Sequence, residues 1–380
     1  MAQMPIMGRT MARPVSLPTP VPARRPSPVA PTPAQLPPPQ EGPRTLVDTF
    51  GRVARDLRVS LTDRCNLRCT YCMPAEGLEW MPTELALTDE ETIRLIRIAV
   101  EDLGIRQVRF TGGEPLLRKS LEKIVAATKA MRTDEGAPPM TALTTNAVGL
   151  DKRAHALKEA GLDRINISLD TTSPELYAEL TRRDRIQDVF SGIDAALEAG
   201  LHPVKVNAVV MPGVNDNAIT DLATFALDKG LQLRFIEQMP LGPREHWKRG
   251  DMVTAEEILD KLRESFTLRP AATPRGSAPA ALWDVTDGTR SGQIGIIASV
   301  THPFCGACDR TRLTTDGAVR SCLFSAQADE VSLRDAMRAG ATDTELADLW
   351  AAAMWAKKPG HGIDDPGFLQ PERLMSEIGG

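Results

Sequence analysis

No run in this 380-residue chain approaches the roughly 18 consecutive apolar residues of a membrane span. The N-terminus also lacks the short apolar core of an export signal. These absences predict no membrane partner and a cytoplasmic location; an organellar matrix is the alternative, if the head of the chain is a transit peptide. Only five histidines occur, and no His/Asp/Ser arrangement suggests hydrolytic catalysis. A net charge of −5 and a pI near 5.7 exclude a global basic field for nucleic acid, so any anionic ligand must be held by local arginines. Cysteine is scarce too. The six present form two groups of three: Cys65, Cys69, Cys72 and Cys305, Cys308, Cys322. Without an export signal, such spacings point to metal binding or redox chemistry rather than disulfides.

Residues 1–45 carry 13 of the 30 prolines, a density that predicts a disordered or polyproline II extension. From about residue 55 a rhythm appears. A helix-like stretch closes on Gly and a β-branched run follows, at "EDLG-IRQVRFT", "LKEAG-LDRINISLD", "LEAG-LHPVKVNAVV" and "LDKG-LQLRFIE". Gly suits the left-handed position that ends a helix. Thr88 with Glu91 forms a capping box, and Ser173-Pro174 places Pro at the first helical position.

Six strands are expected, near 56–61, 106–111, 141–145, 164–169, 204–210 and 232–237. Alternation with helices, and strands that read as near-continuously apolar, predict parallel βα units of the α/β class. Eight such strands close a barrel, so six predict an incomplete (βα)6 barrel, with a doubly wound sheet as the alternative. Either way, ligands are expected at the C-terminal ends of the strands. After residue 250 the rhythm breaks. A helix at 254–266, a linker "RPAATPRGSAPAA", two short strands around "TDGTRSG", the second cysteine group and helices at 331–338 and 343–357 follow. The expected division is 1–45, 46–250 and 251–380.

"CNLRCTYC" comes directly after the first strand. Its Cys65-x3-Cys69-x2-Cys72 has no fourth Cys or His nearby, whereas structural zinc takes four ligands. Three thiolates suit a [4Fe–4S] cubane that keeps one iron open. "TGGEP" (111–115) ends the second strand. Its glycines allow a backbone to approach a ligand closely and Glu114 stands at the strand's mouth, although alone the motif is also a tight turn. Cys305-x2-Cys308-x13-Cys322 is again three-legged. His302 would complete a zinc site there, whereas a second cluster would offer an open iron to a substrate. The interleaved Arg310-x-Arg312 suits bidentate recognition of phosphate, or forms a surface salt-bridge stripe.

The first triplet resembles the signature of the radical S-adenosylmethionine (radical SAM) superfamily. There the open iron chelates SAM, and an electron cleaves it to a 5′-deoxyadenosyl radical. By that resemblance Tyr71, Gly113, Ser168 and Met239 contact SAM. The ordered set "RDLRVSLTDRCNLRCTYCMP", "RFTGGEPLLR", "LTTN", "RINISLD", "VKVNAVV", "RFIEQM", "FCGACDRTRL" and terminal "IGG" is similar to the GTP 3′,8-cyclase (MoaA-type) family of molybdenum cofactor biosynthesis. The resemblance runs from about residue 52 to 380.

What the resemblance implies is specific. The fold is an incomplete (βα)6 TIM-type barrel with a C-terminal region carrying a second Fe–S cluster. The cofactors are two [4Fe–4S] clusters, on the two cysteine groups, and SAM. Arg58, Arg109, Thr144, Lys205, Arg310 and Arg312 hold GTP; Arg310, Arg312 and the tail Gly379-Gly380 are needed for catalysis. Hydrogen is taken from ribose C3′ and the carbon radical adds to guanine C8. Implied partners are an external electron donor, the next enzyme of molybdopterin synthesis, and a second copy of the chain in a homodimer. The alternatives are a radical SAM peptide-modifying enzyme with an auxiliary cluster, and a non-enzymatic zinc or electron-transfer scaffold.

Overall fold

The computed structural model describes residues 36–38, 44–242 and 247–378. The expected Pro-rich extension lies largely, and Gly379 and Gly380 wholly, outside the described residues. Strands β1 (Asp56–Ser60), β2 (Gln107–Thr111), β3 (Met140–Thr145), β4 (Arg164–Ser168), β5 (Val204–Val210) and β6 (Gln232–Glu237) pair in chain order, all parallel. Helices α1 (Asp89–Arg97), α2 (Leu121–Ala130), α3 (Ala154–Glu159), α4 (Pro174–Thr181), α5 (Ile186–Glu198) and α6 (Ile219–Asp228) make the crossovers. Thr88 and Glu91 do form a capping box, and Ser173 caps α4 with Pro174 at its start. Gly104, Gly161, Gly200 and Gly230 take φ of 72°, 99°, 70° and 66°, as the helix-closing role requires. Among the described residues no helix is long and apolar enough to cross a membrane.

The strands are not continuously apolar. Leu57, Val59, Val108, Phe110, Ile165, Ile167, Val206, Leu233 and Phe235 are buried in the core against the helices. Alternate positions carry Asp56, Arg58, Gln107, Arg109, Arg164, Asn166, Lys205, Asn207 and Arg234, and all nine line a cavity inside the curved sheet. The period of two thus separates a packed outer face from a polar inner one.

The region after residue 250 contributes α7 (Ala255–Arg263), β7 (Thr267–Pro270), β8 (Ala281–Thr286), β9 (Ser291–Ile297), β10 (Arg310–Leu313), β11 (Ala318–Arg320) and β12 (Val331–Ser332). It ends in α8 (Leu333–Arg338), α9 (Asp343–Trp355) and α10 (Met375–Ile378). Its strands continue the barrel sheet at both edges. β9 pairs parallel with β6, and β10 pairs parallel with β1. Hairpin partners follow outside each, giving the order β12-β11-β10-β1-β2-β3-β4-β5-β6-β9-β8-β7. β7 and β12 do not pair with each other, so the barrel stays open. Strands β7, β10, β11 and β12 are absent from the sequence reading. "RTRL" is short and half charged, and it becomes a strand because β1 presents a free edge.

One buried carboxylate joins the two parts. Glu237, at the end of β6, accepts from the amides of Ala255 (2.8 Å), Val300 (2.8 Å) and Thr301 (2.9 Å), and from the Thr301 hydroxyl. Replacing it leaves two buried N–H groups and a half-buried one without an acceptor, at about 1–3 kcal/mol for each buried group. Glu237→Ala is therefore expected to destabilise the protein by about 3 kcal/mol or more, read as a lower denaturant midpoint. A change below about 0.5 kcal/mol, the range of ordinary surface substitutions, contradicts this role.

Candidate active site

Cys65, Cys69 and Cys72 lie on the loop beyond the C-terminal end of β1. The loop leans on the last turn of α4, where Arg68 N–H donates to Thr181 O (3.0 Å) and Thr70 N–H to Leu180 O (2.9 Å). Arg182, at φ 54°, turns its guanidinium back to Arg68 O (3.0 Å) and Met73 O (3.2 Å). The glycines of TGGEP serve this loop directly. A Cβ on Gly113 would stand 2.3 Å from Arg64 O, and one on Gly112 2.4 Å from Thr62 O. The close approach expected towards a ligand is thus in part an approach to the cysteine loop itself. Glu114 accepts from Thr145 Oγ1 (2.7 Å), Asn146 N (2.7 Å) and Leu116 N (2.9 Å), tying the mouths of β2 and β3 together. Burial outweighs these three donors and pushes its carboxyl up to about 7.

Tyr71 donates its hydroxyl to Asp170 (2.8 Å), which also accepts from Val209 N (2.8 Å). Burial lifts Asp170 to about 6 against both donors. Burial also lifts the thiols, Cys72 to about 12 and Cys65 to about 11; Glu114 adds to the rise at Cys65 and Arg68 opposes it. Met375 and Ser376 of α10 line the cavity here, and the Ser376 backbone faces Cys72.

The second triad stands at the other end. β10 runs parallel to β1 with Arg310 beside Asp56, the first residue of β1, so Cys308 lies at the N-terminal end of the barrel strands. β11 returns antiparallel with Arg320 beside Arg312, and the same register carried two residues further sets Cys322 opposite Arg310. The thirteen-residue gap between Cys308 and Cys322 is therefore a hairpin whose base holds both thiols. This corrects the expectation that ligands gather only at the C-terminal strand ends. The four steps from Asp56 to Ser60 alone separate the two ends by about 13 Å. Burial pushes Cys305 up. At Cys308 the neighbouring Lys357 and Arg310 outweigh burial and bring the thiol below its usual value.

A single cavity of about 690 Å³ connects the triads and is lined by all six cysteines. Tyr71, Gly113, Ser168 and Met239 line it, as do Arg58, Arg109, Thr144, Lys205, Arg310 and Arg312. Sequence reasoning missed Arg164, Arg234 and Arg275, which bring the lining Arg and Lys residues to eight among the described residues, against the carboxylates Asp56, Glu114, Asp170 and Asp309. Two of those acids sit at the first-triad end. Charged residues at alternate positions of otherwise apolar strands were the signal for Arg164 and Arg234. Arg275 belongs to the supposed linker, whose residues 275–279 form cavity wall. It and Arg310 each lie over the Phe304 ring, at 5.0 and 5.1 Å from its centroid.

These cations crowd one another. Arg312, Arg58 and Arg109 stand side by side on β10, β1 and β2. Burial, then Arg312 and Arg109, hold Arg58 well below the ordinary guanidinium value. Burial with neighbouring arginines brings Arg234 to about 10 and Lys205 to about 7; at Arg312, burial and Arg310 prevail over the Cys322 sulfur and also give about 10. Arg58 Nε, Arg109 Nε and Nη1, Arg164 Nε and Arg234 Nε are buried without a hydrogen-bond partner among the described residues, as are Asn166 Oδ1 and Asn207 Oδ1. Such a wall is built for a polyanion. His302 is exposed and lies outside the lining, and among the described residues no three Cys, His, Asp or Glu side chains gather tightly enough for a single metal ion. Free thiols in threes around an open cavity suit a cluster better than zinc. Arg58→Met is expected to stabilise the ligand-free protein by about 1–2 kcal/mol, because it removes a buried, repelled charge. Inorganic tripolyphosphate should raise the melting temperature of the wild type more than that of the variant; equal shifts contradict the electrostatic assignment.

Comparison with known proteins agrees with this geometry. Residues 59–226 match the family model of the radical SAM superfamily, and residues 231–363 match Molybdenum Cofactor Synthesis C. A protein of Corynebacterium glutamicum (strain ATCC 13032), named GTP 3′,8-cyclase, is 71% identical over 346 residues, covering 90% of this chain and 91% of its own. A protein of the same name from Streptomyces coelicolor is 57% identical over 342 residues, covering 90% and 98%. Among solved structures, Streptococcus suis SuiB, determined with S-adenosylmethionine bound, shares the fold at 15% identity with a TM-score of 0.53. The match covers 82% of this chain and 66% of that one, just under two thirds. The two triads, the cation-lined barrel between them and an identity this high over nine-tenths of the chain place it together: the chain belongs to the GTP 3′,8-cyclase family of the radical SAM superfamily.

Proposed function

We propose that the protein is a GTP 3′,8-cyclase, a lyase that converts GTP to (8S)-3′,8-cyclo-7,8-dihydroguanosine 5′-triphosphate at the start of molybdenum cofactor biosynthesis. The observation that carries this reading is one cavity with a thiol triad at each end and a cationic wall between. Cys65, Cys69 and Cys72 would hold the cluster that binds SAM, and Cys305, Cys308 and Cys322 a second cluster. Loaded with these groups, the site supplies one-electron reductive cleavage of SAM, the source of a hydrogen-abstracting radical; an external donor provides the electron.

The chain's own residues do the rest. Arg58, Arg109, Lys205, Arg310 and Arg312 neutralise the triphosphate, and Arg234 and Arg164, on the same inner face, extend that set. Thr144 offers a hydroxyl beside them. Tyr71, fixed by Asp170, stands with Gly113, Ser168 and Met239 where SAM would lie. Met375 and Ser376, lining the cavity beside Cys72, support a role for the terminal Gly379-Gly380 at this same site. Binding between the two triads would hold the ribose and guanine in reach of each other. The cationic wall favours a nucleotide triphosphate over the peptide of the alternative reading. Free thiols at both triads suit the cytoplasm.

Anaerobic reconstitution is expected to give about eight irons per chain and a conversion of SAM to 5′-deoxyadenosine that depends on GTP. Deoxyadenosine formation indifferent to GTP would sink the substrate assignment. A pH effect follows from Lys205. In the ligand-free protein burial and three arginines hold it near 7, so above that pH it is neutral. A triphosphate favours the ammonium, so binding takes up a proton, and GTP affinity falls as pH rises through 7, by up to about tenfold per unit. Calorimetry between pH 7 and 9 in two buffers should show this uptake in the wild type and its loss in Lys205→Arg.

A further inference from the structure

Lys357, just past α9, is 3% exposed. Its Nζ lies 3.3 Å from Cys308 O, 3.0 Å from Arg310 O and 3.4 Å from Cys308 Sγ. An ammonium has three donors, and here all three go to one segment of the second triad. Two carbonyl bonds fix the nitrogen and the third donor points at the sulfur. Among the described residues no carboxylate pairs with it. The same loop is braced from the other side by Arg52, whose Nη1 reaches Cys305 O (2.7 Å) and Pro359 O (2.9 Å) and whose Nη2 reaches Lys358 O (2.6 Å). Arg310 Nη1 adds a second cation, 3.6 Å from the same sulfur.

A buried ammonium with no counter-charge is costly unless its site becomes negative. A cluster held by three thiolates meets that need, and one-electron reduction makes it more negative still. At the first triad the cation Arg68 reaches the Cys65 carbonyl (2.8 Å) rather than a sulfur; the sulfur contact is the neutral Asn146 Nδ2, 3.9 Å from Cys65 Sγ, and the carboxylates Glu114 and Asp170 lie nearby. We propose that Lys357 is a positioning residue that sets the reduction potential of the second cluster, holding it above that of the first through the buried positive charge it fixes beside Cys308. The first cluster then remains the stronger reductant. This rests on the reading of Cys305, Cys308 and Cys322 as cluster ligands.

The test is a redox titration of the reconstituted full chain, followed by electron paramagnetic resonance. Iron is counted first, and added SAM marks the first cluster's signal. Lys357→Met should lower the reduction equilibrium constant of the second cluster at least tenfold, about 59 mV for one electron. The first cluster should be unmoved, and Lys357→Arg should stay within about threefold of wild type. A Lys357→Met second cluster that titrates with the wild type overturns the proposal. Should Lys357→Met lose that cluster's iron, Lys357→Gln, which keeps donors without the charge, is titrated instead and the same fall is expected. An unchanged potential, or lost iron there too, also overturns it and leaves Lys357 a role in assembly alone. About four irons in the wild type, rather than about eight, would fail the two-cluster reading itself.

Discussion

The parallel pairing of β10 with β1 is the joint on which this architecture depends. Four residues, Arg310–Leu313, dock on the edge of the first barrel strand. By doing so they deliver two arginines to the inner face, seat Cys308 at the bottom of the barrel, and start the hairpin that brings Cys322 back beside it. Trp350 of α9 secures the strand from behind, its indole donating to Thr311 Oγ1 (3.0 Å) inside the core. Remove that pairing and the barrel keeps one triad, loses Arg310 and Arg312 from its cation wall, and has a bare edge at β1.

The electrostatics run against folding and towards binding. A closed apolar interior would be more stable than one lined by guanidiniums that repel one another, and the stability lost there has to come from elsewhere. Much of it is visible outside the cavity. The outer strand faces and helices form one continuous apolar core. Glu237 locks the two halves with backbone bonds. Near the tail, Arg373 lies between Asp316 (2.9 and 3.0 Å) and Glu330 (2.9 Å), and Arg320 pairs with Glu330 as well. These charges are buried in compensated sets, as the cavity cations are not.

Much of the fold was legible in the sequence, because it was written in local signals. The six barrel strands fall within a residue or two of their expected places, and the capping residues and helix-ending glycines act as expected. Of the strands outside the barrel, β8 and β9 were legible on either side of TDGTRSG, whereas β7, β10, β11 and β12 were not; β10 owes its form to a partner far away in the chain. The site was legible in its cysteines and in Arg310-x-Arg312, where spacing carries the chemistry. Arg164 and Arg234 are hidden in strands whose apolar residues dominate the pattern. The alternation of Arg164, Asn166 and Ser168 on β4 belongs to a barrel whose inside is a ligand chamber rather than a packed core. Lys357 had no signal at all, since only packing brings it to a sulfur.

The joint between β1 and β10 also bears on how the molecule is made. Its two strands lie about 250 residues apart, so synthesis from the N-terminus exposes the bare edge of β1 long before its cover exists. The other edge, at β6, waits for β9 in the same way. Residues 298–309 then cross from one edge to the other and carry Cys305 and Cys308 as they go. Covering the two barrel edges and bringing together the second thiol set thus depend on the same late-synthesised segment, and a nascent chain stalled before it presents two unpaired strands to its neighbours.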